Sequence, residues 1–137
     1  MVLQWSIGAL CHGTHAFAMP HKRVLQLVAL ADIGAFVASL VERRQRVFGK
    51  RFDFAGDELS GEEQAKILSQ AIGRPVTYQE IPIEGARQQS EDTALMFEWF
   101  DKTGYDVDIA VLHRNFPEVC WARAFDWSVL ERTSSAA

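Results

Sequence analysis

At 137 residues the chain has the length of one domain, enough to bury roughly two-thirds of the surface its unfolded form exposes. Apolar residues make up 48% and charged residues 23%, a globular balance that excludes disorder as the starting expectation. A net charge of −4 argues against a nucleic-acid binder that works by neutralising phosphates.

Residues 1–20 read as an irregular apolar lead-in, with Ile7, Leu10, Ala16, Phe17 and Met19 in need of a partner surface. Met1–Leu10 lacks the basic start and cleavage site of a secretory signal, and Cys11 and Cys120 are too far apart for a zinc-finger spacing. A reduced, cytoplasmic protein is the expectation. Pro20 and Lys22-Arg23 punctuate the entry to Val24–Leu30, an apolar run of strand length. Asp32 is the expected N-cap of a helix whose stripe is Ile33, Phe36, Val37, Leu40 and Val41. As a membrane span this stretch barely reaches the required length of about 18 residues, and Asp32 would cost about 3 kcal/mol near its middle. A soluble strand–helix unit is the better reading.

Arg43, Arg44 and Arg46 are expected in the last turn of that helix, opposing its dipole, with Gly49 closing it. Arg51–Ala55 alternates polar and apolar like a strand with one face inward, and Gly56–Leu59 reads as a turn. Ser60 and Glu63 form an S-x-x-E capping box ahead of Ala65, Leu68, Ala71 and Ile72, with Gly73 at the left-handed C′ position. Pro75–Pro82 reads as a third strand with proline at its ends. Connections of this length favour parallel pairing. A helical region over 84–103, broken near Ser90, carries Leu95, Met96, Trp99 and Phe100, and Ala94 and Phe97 widen its apolar face beyond one contact surface. Asp106 or Asp108 caps a short helix through Leu112, stopped by Pro117. Trp121, Phe125, Trp127 and Val129 form a last apolar segment before a frayed tail at 131–137.

Several residue groups could carry chemistry. Cys11, His12, His15 and His21 are metal-capable, but their spacing fits no defined site, so no metal is expected. The acids Asp53, Asp57, Glu58, Glu62 and Glu63 fail the calcium-loop pattern and are explained by the helix dipole. Cys120, between Val119 and Trp121, reads as an inert apolar thiol, and His113 as a solvated helix end. No catalytic residue is assigned.

The run Leu27-Val28-Ala29-Leu30-Ala31-Asp32-Ile33-Gly34-Ala35-Phe36 resembles the strand and helix start of the NmrA-like family, atypical relatives of the short-chain dehydrogenases/reductases. The likeness continues through Phe54–Glu63, Ile72–Val76, Tyr78–Pro82, Met96–Phe100 and Thr103–Ile109, and covers about residues 8–127. It implies an α/β fold: a small three-strand, mainly parallel sheet with flanking helices, the C-terminal, substrate-side part of a Rossmann-type NAD(P)-binding protein occupying residues 21–130. No G-x-G-x-x-G occurs in the chain, and Tyr78 and Tyr105 are followed four residues on by Pro82 and Ile109 rather than by lysine. The resemblance therefore implies NAD(P) in full-length relatives but no cofactor in this chain alone. Phe17, Met96 and Trp99 are the residues it places near a substrate pocket. The partner it implies is an N-terminal Rossmann half, or else a second copy meeting an exposed apolar face; neither nucleic acid nor membrane is expected. Two functions remain: the non-catalytic half of a reductase or redox-sensing regulator, and a stand-alone interaction module.

Overall fold

The computed structural model describes residues 9–123. In chain order it contains β1 (Thr14–Phe17), β2 (Val24–Leu27), α1 (Leu30–Glu42), α2 (Arg44–Val47), β3 (Asp57–Ser60), α3 (Gly61–Ile72), β4 (Thr77–Glu80), α4 (Ile83–Gln89), α5 (Glu91–Lys102) and α6 (Ile109–Asn115). The expected three-strand sheet is replaced by two two-stranded sheets, β1 with β4 and β2 with β3. The first is parallel, with Thr14 opposite Thr77 and Phe17 opposite Glu80. The described residues form two compact units, 9–25 with 59–105 and 26–58 with 106–123.

In the first unit, β1 lies inside the stretch expected to be irregular. Four residues with a histidine among them carry no strand signal of their own, and only the ladder to β4 makes them one. The capping box forms as expected: the Glu63 amide donates to Ser60 Oγ at 3.4 Å and the Ser60 amide to Glu63 Oε2 at 2.8 Å. The Ser60 hydroxyl, with that amide, holds the Glu63 carboxyl below its ordinary range. Gly73 closes α3 with φ of 71°. The face α3 buries is Gly61, Gln64, Ala65 and Leu68, so the expected Ala71 and Ile72 are exposed instead. Ser90 breaks the next helical region where expected, ending α4 and capping α5. Of the wide apolar face on α5, Ala94 and Phe97 are buried while Leu95 and Trp99 stand exposed.

The second unit is organised around Phe36, fully buried with Leu112, Phe116 and Val119, and walled by Phe52, Phe54 and Trp121. Ring centroids lie 4.6 Å away at Phe54 and 4.8 Å at Phe116. Phe52 and Phe54 point inward as their alternation predicts, yet residues 51–55 are not a strand. Among the described residues no strand pairs with them, and pairing starts only at Asp57. Helix α1 begins earlier than expected, with Ala29 as its N-cap and Asp32 inside the first turn. It ends at Glu42, which moves Arg44 and Arg46 into the separate turn α2. Asp108 caps α6, accepting from the Val111 amide at 2.9 Å. Phe125, Trp127, Val129 and the tail lie outside the described residues.

Candidate functional site

The first unit carries a groove of about 430 Å³ between α3 and β4, lined by His21, Glu62, Lys66, Ser69, Gln70 and Tyr78 among others. Tyr78 reaches across the start of α3: a Cβ at Gly61 would lie 2.2 Å from its ring, so only glycine allows this approach. Its hydroxyl donates to the Met19 carbonyl at 2.7 Å, and burial pushes the phenol up to about 12. It is thus a fixed wall rather than a proton donor. The His21 ring meets Glu62 at 3.5 Å and Glu80 at 3.7 Å and lies edge-on to Tyr78. One lysine, one imidazole between two carboxylates and two amide or hydroxyl side chains can hold a polar ligand. No activated nucleophile lines the groove.

Behind Tyr78 sits His15, fully buried. Gln64 Nε2 donates to the Leu59 carbonyl at 3.3 Å, which turns Gln64 Oε1 toward His15. His15 Nε2 therefore donates to that oxygen at 3.1 Å, while Nδ1 has no partner among the described residues. Burial lowers the His15 pKa and keeps the ring neutral. The metal-capable group is dispersed: Cys11 and His12 are exposed, His15 is locked to Gln64 and His21 faces carboxylates. Among the described residues no three such ligands converge.

Phe17 is buried against Phe97, 6.0 Å between ring centroids, and edge-on to His15. Met96 is half-buried on α5. Trp99 is 43% exposed and forms a three-ring cluster with Phe100 and Tyr105, at 5.7 and 5.1 Å. Arg23 holds the end of this helix by donating to the Phe100 and Thr103 carbonyls. None of the three expected residues lines the groove. The groove was missed in the sequence because its residues come from three separated segments, and only the β1–β4 ladder gathers them.

In the second unit, polar side chains on α1 and at its C-cap grip the end of α6 and the segment that follows it. Asp32 is buried and its Oδ2 accepts from the Ala122 amide at 2.9 Å. Burial raises its pKa, opposed by that hydrogen bond and by His113. The Ser39 hydroxyl donates to Glu118 and holds that carboxyl below its ordinary range. Arg43 donates to Glu118 at 2.7 Å and to the Asn115 carbonyl at 2.8 Å, and lies over the Phe116 ring. His113 is half-buried rather than solvated, stacked on Trp121 at 4.8 Å with Nε2 unpartnered among the described residues. Cys120 is exposed, not buried, because its neighbour Val119 takes the inward position.

The sequence profile of the NmrA-like family matches residues 9–130. The chain belongs to the NmrA-like family. No curated protein matches it. Among solved structures, this NmrA-like chain is similar to the crystal structure of a nucleoside-diphosphate-sugar epimerase from Staphylococcus aureus, at 17% identity and a TM-score of 0.69. The match covers 90% of this chain and 45% of that one, so the chain spans less than half the length of the epimerase it resembles. At that identity the likeness shows the α/β fold alone.

A dinucleotide of the kind NmrA-like proteins bind does not fit the described strand-to-helix junctions. A diphosphate needs free amides and a glycine backbone at a helix N-terminus. Here the first turn carries Asp32 after β2, Glu62 and Glu63 after β3, and Glu84 after β4. At α3 the Ser60 and Glu63 amides are already taken by the capping box. No described helix is long and apolar enough to cross a membrane.

Proposed function

We propose that this chain is the substrate- or partner-facing C-terminal portion of an NmrA-like, NAD(P)-dependent reductase or redox-sensing regulator, without catalysis or dinucleotide binding of its own. The observation that carries the reading is the acidic first turn at each described strand-to-helix junction. The lack of a G-x-G-x-x-G in the sequence supports it. So does the 45% coverage of the epimerase chain, which leaves more than half of that chain outside the match. Within this reading Trp99 and Met96 contribute the apolar wall that meets substrate, and Phe17 backs it through Phe97. Two exposed, unpaired cysteines favour the reducing cytoplasm as its location.

Titrating NAD⁺ and NADPH into the chain by calorimetry tests the proposal. The expected outcome is no saturable heat; saturable micromolar binding overturns it. Replacing the residues that match Met96 and Trp99 with alanine in a full-length relative should weaken substrate affinity. Unchanged affinity would remove them from the pocket.

A further inference from the structure

The basic run that follows α1 is left without its expected use. Five of the chain's 14 lysines and arginines fall within residues 43–51, namely Arg43, Arg44, Arg46, Lys50 and Arg51, with no acid among them. Because α1 ends at Glu42, Arg44 and Arg46 lie in α2 rather than in its last turn. Arg43 is bound to Glu118 and Arg51 to Asp53. Arg44, Arg46 and Lys50 are exposed and meet no carboxylate among the described residues.

A second observation stands beside the charge. Phe48, set between Arg46 and Lys50, is 91% exposed. The turn that carries it is tied through its own backbone. The Arg46 amide donates to the Arg43 carbonyl at 2.8 Å, the Phe48 amide to the Arg44 carbonyl at 2.9 Å and the Lys50 amide to the Val47 carbonyl at 3.0 Å. Gly49 follows with φ of 76°, a conformation that glycine adopts without strain. A hydrogen-bonded turn therefore holds a whole phenyl ring in water among three unneutralised cations.

We propose that this turn docks on an anionic lipid surface, with Phe48 entering the boundary between headgroups and acyl chains and Arg44, Arg46 and Lys50 meeting the negative headgroups. Basic residues beside an exposed aromatic ring are the composition that binds a charged leaflet. The charges select an anionic partner, and the ring selects one with apolar depth. A protein surface would need a pocket for Phe48 as well as carboxylates around it, whereas a fluid leaflet needs no preformed pocket. A nucleic acid offers phosphates, but the chain as a whole carries −4. On a leaflet, carboxylates farther than about 8 Å from the contact are screened at physiological salt. Contact with one leaflet requires no spanning helix, and it does not depend on the dinucleotide reading.

Cosedimentation of the full chain with vesicles tests this, using phosphatidylcholine alone or with about 30% phosphatidylserine, at about 0.05 and 0.5 M salt. Partition onto the anionic vesicles should exceed that onto neutral ones about 10-fold at the lower salt and fall toward it at the higher. Arg44→Glu with Arg46→Glu should abolish that preference, and Phe48→Ala should weaken binding about 5-fold. Circular dichroism should stay native, because all three side chains are exposed. Arg44→Gln with Lys50→Gln serves the same purpose if the glutamate variant fails to fold. No preference for anionic vesicles overturns the proposal, as does unchanged binding by the folded variants. Tighter binding to a single-stranded oligonucleotide than to the anionic vesicles also overturns it.

Discussion

His15 in the first unit and Asp32 in the second are both buried ionisable side chains, and they are stabilised in different ways. His15 is neutral, donates one hydrogen bond to Gln64 and leaves its second nitrogen unpartnered. Asp32 accepts the Ala122 amide and feels the His113 imidazole, so its charged form retains some compensation. The packing around them differs too. The second unit surrounds one phenylalanine with aromatic rings from two segments, whereas the first packs aliphatic Leu68 of α3 beside a parallel ladder. A unit centred on one large ring depends heavily on that ring. A unit knit by a ladder and a capping box spreads its stability over more groups.

The contrast breaks most visibly at Phe36. Phe36→Ala should cost about 3–5 kcal/mol by chemical denaturation, because rings at Phe54, Phe116 and Trp121 cannot all collapse into the void. Leu68→Ala in the first unit should cost about 2–4 kcal/mol, the smaller loss reflecting a smaller cavity. An equal or reversed order would contradict the comparison. Gln64→Ala should cost about 1–3 kcal/mol, since it leaves both His15 nitrogens unpartnered.

Titration sharpens the comparison in opposite directions. The folded pKa of His15 lies below its ordinary 6.5, so the unfolded chain takes up the proton first as pH falls. Its contribution is intact above pH 6.5 and declines as pH drops below that value toward the folded pKa. The folded pKa of Asp32 lies above its ordinary 3.8, so the unfolded chain releases the proton first as pH rises. Stability from that site declines as pH climbs from 3.8 through the folded value. Melting midpoints across pH 4 to 8 should fall on the acid side of 6.5 in the wild type and flatten in His15→Leu. Asp32→Asn keeps an acceptor for Ala122 and should raise stability at pH 7 by about 1 kcal/mol. A lower midpoint for that variant would show the carboxylate to be net favourable. The smallest effect is expected at Ser60→Ala, about 1 kcal/mol for a lost cap, with β1–β4 pairing unaffected.

Local chemistry was legible in the chain wherever a few adjacent residues decide the outcome. Ser60 with Glu63, Gly73 in the left-handed region, the break at Ser90 and the Asp108 cap each involve groups within four residues of one another. Their partners are supplied by the same stretch of backbone, so no fold needs to be known. The inward direction of Phe52 and Phe54 was legible as well, although not their lack of a ladder. The family likewise followed from ordered short matches.

Long-range partners were decided only in three dimensions. Strand β1 exists because β4 lies beside it, and no property of Thr14–Phe17 announces that. Asp32 looked like an N-cap because an acid before an apolar stripe usually is one; the Ala122 amide, ninety residues away, made it a buried anchor instead. The same anchoring turned α1 over, so that Val37 and Val41 face outward although their spacing alone places them with Phe36. Periodicity fixes which residues share a helix face. Which face is buried depends on the hydrogen bonds and rings that other segments bring to it, and those are set by the tertiary fold.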